Sequence, residues 1–282
     1  MSHLDPETAA IEALTLIKDR TPNLSNEDTT AVISNIERSK QGVLVHESGF
    51  SLLHAFAKLG HEGLVQVLLD KGASPNGRDD RNGCTPLIYA AGEGRTKTVE
   101  MLLNAGADIE SQMEDGSTSL ICATCNRHEE VIQLLLARGA ATEATDNEEC
   151  TALIYAASYG DQKIASLLLA HGAKPCAKGK NRYKALIMAA SKGHEGVVRI
   201  LLEKGAGVDA KDHLHNTALI WAAWKGHEAV VKLLLQHGAN AGAESAIRKF
   251  GVGRRMRALD FVPKGNDEIK IALKGAQSRS MR

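Results

Sequence analysis

The sequence predicts an all-α solenoid of stacked helical pairs. Three observations predict it: a fixed period, a turn-and-helix signature that recurs with it, and small apolar residues at helical spacing inside each period. Gly-Ala pairs fall at Gly72-Ala73, Gly106-Ala107, Gly139-Ala140, Gly172-Ala173, Gly205-Ala206 and Gly238-Ala239, so the steps are 34, 33, 33, 33 and 33 residues. Such a period denotes supersecondary units that are each too small to bury their own apolar face and are completed by their neighbours.

The elements follow in chain order. Residues 1–42 predict two helices, one opening at Asp5-Pro6-Glu7 and running through Ile11, Leu14 and Ile17, the other opening at Ser25-Asn26-Glu27-Asp28 and carrying Val32 and Ile36. Pro22 and Asn23 separate them, and the pair reads as an N-terminal cap on the first repeat, since terminal units of arrays need a polar outer side. Residues 43–243 hold six full repeats. In repeat two, Asn82-Gly83 favours a tight turn. Thr85 then caps a helix whose first position is Pro86, where a missing N–H costs nothing. The core stripe is Leu87, Ala90 and Ala91, at i, i+3 and i+4, and the alanines let a neighbouring helix come close. A second helix carries Val99, Leu102 and Leu103 and stops at Gly106, the residue best able to take a left-handed cap. Residues 244–282 hold a basic insertion, a degenerate seventh repeat from Arg257-Ala258-Leu259-Asp260-Phe261 to Ile271-Ala272-Leu273-Lys274, and a tail. Leu219 and Leu259 stand 40 residues apart, seven more than the usual step. Gly251-Val252-Gly253 lacks the lysine and flanking elements of a phosphate loop and reads as a surface turn.

These segments resemble the ankyrin repeat, whose consensus G-x-T-P-L-H-x-A-A-x-x-G-H and L-L-x-x-G-A they follow. The resemblance implies an ankyrin-repeat solenoid of six full repeats, with a degenerate C-terminal capping repeat and a helical N-terminal cap. The sequence departs from the pattern in two ways. Only repeat one keeps the family histidine, as His54, while Ile88, Ile121, Ile154, Ile187 and Ile220 replace it and add apolar stacking. In repeat five the turn Asn181-Arg182-Tyr183-Lys184 has neither the glycine nor the capping threonine.

Composition restricts the function classes. Lys and Arg number 34, equal to Asp and Glu. No apolar run approaches the roughly 20 residues of a membrane span, and Met1-Ser2-His3-Leu4-Asp5-Pro6 lacks the basic start and apolar stretch of a secretory signal. Five cysteines without framework spacing point to reduced thiols in the cytoplasm, with the nucleus as a second compartment. No converging set of acids, bases and nucleophiles stands out, so the chain reads as no enzyme and no cofactor is implied. Cys122-x-x-Cys125 with His128 faintly resembles a metal site, but no second pair completes it, and the reading is no metal. His61, His128, His194 and His227 recur at one repeat position and read as turn-stabilising residues.

The informative pattern is where the aromatics sit. With the repeat leucine of each first helix as zero and roughly 100° per residue, positions two, five and six residues later face away from the core. The two-later residues of repeats two to six are Tyr89, Cys122, Tyr155, Met188 and Trp221. The five-later ones are Gly92, Cys125, Ser158, Ser191 and Trp224, and the six-later ones Glu93, Asn126, Tyr159, Lys192 and Lys225. Five of the six Tyr and Trp residues lie here, and the sixth, Tyr183, lies on the adjoining hairpin. In proteins of the resembled family this face and the hairpins form the concave groove that binds partners, and Tyr and Trp dominate interface energetics. The candidate partner-binding residues are therefore Tyr89, Tyr155, Tyr159, Tyr183, Met188, Lys192, Trp221, Trp224 and Lys225, with His213 and Leu214 from the repeat-six hairpin.

Charge is patterned as well. Asp146, Glu148 and Glu149 make one hairpin acidic, and Lys178, Lys180, Arg182 and Lys184 make the next basic. From Arg248 to Arg282 there are ten Lys and Arg against three Asp and Glu. Arg248, Lys249, Arg254, Arg255 and Arg257 form a basic patch suited to an acidic partner, a nuclear-localisation role, a nucleic-acid contact or a solvated end. The expected function is that of a monomeric, non-catalytic scaffold or adaptor binding a protein partner. The alternative is a nucleotide or oligonucleotide sensor using the Trp/Lys cluster of repeats five and six.

Overall fold

The computed structural model describes residues 51–176, 185–248 and 255–280. The helices expected in residues 1–42 and the repeat-five turn lie outside them. By contacts the chain divides into two compact units, Met1–Ala141 and Thr142–Arg282.

Unit one holds three helical pairs: α1 (Leu52–Leu59) with α2 (Glu62–Asp70), α3 (Pro86–Gly92) with α4 (Thr96–Asn104), and α5 (Ser119–Cys125) with α6 (Glu129–Ala137). Helices of seven to nine residues are marginal alone, so their stability comes from packing. Each first helix lies on its own second helix, first helices stack α1 on α3 on α5, and second helices stack α2 on α4 on α6. Leu87, Ala90 and Ala91 are wholly buried, as are Val99 and Leu102. The capping chemistry read from repeat two is present: Thr85 Oγ1 accepts the Ile88 N–H, and Thr118 Oγ1 the Ile121 N–H, each at 3.4 Å.

Unit two repeats the pattern with α7 (Ala152–Tyr159) and α8 (Gln162–Ala170), α9 (Ala185–Lys192) and α10 (Glu195–Glu203), and α11 (Ala218–Lys225) and α12 (Glu228–Gln236). It then adds what an all-α reading omits, a two-stranded antiparallel sheet of β1 (Glu244–Arg248) and β2 (Arg255–Arg257). Two contacts hold the sheet in place. Glu244 pairs with Arg257 across the strands at 2.8 Å, and the Ala246 N–H donates to the Leu214 carbonyl of the preceding hairpin at 2.7 Å. After it, α13 (Ala258–Phe261) packs on α11 and α14 (Asp267–Ser280) on α12, so the segment read as a degenerate repeat continues both helical layers of its unit.

The recurrent histidines do more than stabilise their own turn. Nε2 of His194 meets the Ser158 carbonyl and Nε2 of His227 the Ser191 carbonyl, each at 3.0 Å and 36 residues away. In unit one His128 reaches Gly92 in the same way. Each ring thus ties a second helix to the first helix of the preceding repeat. The glycine beneath the ring is doubly constrained. Gly193 has φ +81, and a Cβ there would lie 2.6 Å from the His227 ring. Gly172 has φ +91 but open space around it. Gly193→Ala is therefore expected to lose about 1–3 kcal/mol of stability, and more than Gly172→Ala, which meets only the backbone penalty. Equal urea midpoints for the two variants would contradict the steric part of this account.

His54 makes a different bridge. Its Nδ1 lies 3.0 Å from the Ser51 N–H, a group that only donates, so Nδ1 accepts and Nε2 carries the proton toward the carbonyls of Gly77 and Cys84. Burial is the main reason its pKa falls below the ordinary 6.5, and the two carbonyls and Asp79 oppose it only in part. A second proton would also cost the Ser51 bond. With a lowered native pKa the unfolded chain takes up the proton first. The contribution of His54 is thus present above about pH 6.5 and is lost as pH falls toward the native value. The urea midpoint is expected to drop from pH 7.5 to pH 5.5 more steeply in the native chain than in His54→Gln; parallel slopes would overturn this.

Candidate functional site

The face defined by the two-, five- and six-later positions is graded in exposure. Tyr89, Cys122, Tyr155, Met188 and Trp221 are half-buried, and so are Gly92, Cys125, Ser158 and Ser191. Glu93, Asn126, Tyr159, Lys192 and Lys225 are exposed. Trp224 breaks the five-later pattern at 40% exposure, against 43% for Tyr159.

The half-buried aromatics share a task in the fold. Tyr89 Oη donates to Asp79 Oδ2 at 2.5 Å, Tyr155 Oη to Asp146 Oδ2 at 2.5 Å, and Trp221 Nε1 to Asp212 Oδ2 at 2.8 Å. The other oxygen of each carboxylate accepts hairpin N–H groups, those of Leu214 and Asn216 at 2.8 Å in the case of Asp212. One aspartate thus closes the hairpin and fastens it to the first helix. Burial opposes ionisation of Asp79, but the bonds from Tyr89, Asn82, Cys84 and Arg81 outweigh it and hold the carboxyl below its ordinary value. Burial, with the same contact adding to it, pushes the Tyr89 phenol upward. In the acidic hairpin of Asp146, Glu148 and Glu149, Asp146 is buried and accepts the N–H groups of Glu148 and Cys150 and the Tyr155 hydroxyl.

The exposed aromatics are stacked. Tyr159 lies 6.5 Å from Tyr155 at 23°, and Trp224 lies 5.2 Å from Trp221 at 20°. Phe261 of α13 adds a third ring, 5.3 Å from Trp224, and Lys225 Nζ sits 5.9 Å from the Trp224 centroid. Sequence reasoning missed Phe261, although it lies two residues after Leu259 and the wheel rule extended to the seventh unit would have found it. The rule extended to repeat one would have found Lys58, five after Leu53, which lies 5.7 Å over Tyr89 and pairs with Glu93 at 3.8 Å.

The remaining candidates divide. His213 and Leu214 are exposed at the repeat-six hairpin, Leu214 at 37%. Tyr183, Lys249 and Arg254 lie outside the described residues. Arg257 is held in place: besides pairing with Glu244, its N–H donates to Asp260 Oδ2 at 2.9 Å at the start of α13. Cys84 and Cys122 both face the Met113 sulfur, at 3.9 and 4.0 Å. Burial pushes their thiols up to about 11 and about 12, so at neutral pH they are protonated packing groups. Among the described residues no helix is long and apolar enough to cross a membrane.

Comparison with known proteins agrees with this architecture. The chain matches a family model described as ankyrin repeats (3 copies) over residues 24–113, 106–179 and 172–245. It is 38% identical over 85 residues to the ankyrin repeat and KH domain-containing protein mask-1 of Caenorhabditis elegans, 30% of this chain and 3% of that protein. It is 33% identical over 84 residues to human SH3 and multiple ankyrin repeat domains protein 1, 29% of this chain and 4% of that protein. The chain therefore spans only a small part of these relatives. The crystal structure of the human ASB11 ankyrin repeat domain superposes with a TM-score of 0.68 at 25% identity, covering 80% of this chain and 98% of that one.

Proposed function

Because the chain belongs to the ankyrin-repeat family, whose repeats mediate protein–protein interaction and are typically non-catalytic, we propose that it is a non-enzymatic scaffold or adaptor. It binds a protein partner through the first-helix face of unit two and the hairpin tips beside it. It acts as a monomer in the cytoplasm, the compartment that its five free thiols suit. Repeats two to five offer Gly92, Cys125, Ser158 and Ser191 where repeat six offers Trp224. The observation that carries the reading is this indole, bulky where the fold asks for a small residue and 40% exposed on a stack of rings. A preformed face of packed helices loses little entropy on docking, and rigid aromatics can anchor it. The nucleotide alternative has less support, because Trp221 and Phe261 already occupy ring surface of Trp224 that a base would need. Quantitative affinity purification with the native chain and Trp224→Ala tests the proposal. Partners that depend on Trp224 support it, and an unchanged set of partners would overturn it.

A further inference from the structure

Tyr159, Lys192 and Lys225 occupy the same exposed position on α7, α9 and α11, helices packed side by side in that order. At the usual spacing of packed helices they form a row roughly 18 Å long. Trp224 stands next to Lys225, and the exposed Leu214 tops the hairpin that Asp212 fastens to Trp221. The row carries two ammonium groups and no carboxylate. In unit one the corresponding face neutralises itself through Lys58 and Glu93. In unit two Arg199 pairs with Glu195, Lys232 with Glu228, Arg257 with Glu244 and Lys270 with Asp267. None of them involves Lys192 or Lys225.

We propose that this row receives an acidic segment of a partner protein, with a bulky apolar side chain against Trp224 and Leu214 and carboxylates on Lys192 and Lys225. The proposal rests on the interaction reading above and names the chemistry of the partner. Two ammonium groups and no carboxylate in a row beside exposed aromatic surface favour a ligand that supplies carboxylates and an apolar anchor together. An extended segment of roughly six residues spans such a row.

Trp221 and Trp224 are the only tryptophans, so intrinsic emission reports on this site directly. A display library of random peptides about twelve residues long, selected on the full chain, provides the test, with Lys192→Glu/Lys225→Glu and Trp224→Ala as comparison chains. The milder Lys192→Gln/Lys225→Gln pair guards against misfolding. Enriched peptides should carry Asp and Glu around a Trp, Phe or Leu and should change tryptophan emission. They should bind the native chain about tenfold more tightly than the charge-reversed one at low salt, with the gap closing as salt rises. Enrichment without acidic bias, no enrichment, or equal binding by the lysine variants would overturn the proposal. So would an oligonucleotide of equal charge binding as tightly with the same lysine dependence. Loss of binding in Trp224→Ala but not in the lysine variants would sink the acidic partner while sparing the interaction reading; loss in neither would sink both.

Discussion

Leu153→Ala and Leu186→Ala are each expected to lower the free energy of unfolding by about 2–5 kcal/mol, the range for truncating a buried leucine where neighbours cannot close the cavity. Leu153 is 1% exposed and Leu186 2%. Leu186 lies on α9, which is held between α7 and α11 and rests on α10, so three helices share the loss. Because each repeat is stabilised by the ones beside it, the damage should spread to the repeats on both sides. Urea unfolding checks the magnitude, and hydrogen exchange checks the spread. A change within error, or protection lost only in α9, would contradict the packing described above.

Trp224→Ala should separate folding from binding. Its ring is 40% exposed, yet it stacks on Trp221 and tilts against Phe261, so truncation is expected to cost about 1 kcal/mol of stability through lost ring contacts. If the ring is the anchor of a partner interface, the same change should weaken binding by about 2 kcal/mol or more, roughly thirtyfold in Kd. Calorimetric titration of a captured partner into both chains, beside their urea midpoints, measures the two effects. A variant that unfolds readily would return Trp224 to the core, and undiminished affinity would remove it from the interface.

The contact with Phe261 also changes the meaning of the C-terminal segment. Its arginine-rich composition is equally compatible with a solvated end and with a charged contact to a partner. The described part is instead tied in: Arg257 bonds Glu244 and Asp260, and α13 brings Phe261 to the aromatic stack. An arginine in a short, polar stretch has the same composition whether it is solvated or paired, so only the partner's position could tell the two apart.

The sequence by itself determined the period, the helical pairs, the threonine caps and the outward position of Tyr159, Lys192, Trp224 and Lys225. All of these depend on residue type at short spacing, through helical periodicity and local capping. Only the tertiary structure decided which aromatics are fastened and which are available. Asp79, Asp146 and Asp212 take up Tyr89, Tyr155 and Trp221, and they lie nine or ten residues away, across a hairpin that brings them back to the helix. The histidine bridges over 36 residues and the pairing of β1 with β2 belong to the same class. Periodicity shows which face a residue occupies, but a hydrogen bond also needs its partner within about 3 Å, and that distance is set by how the repeats stack.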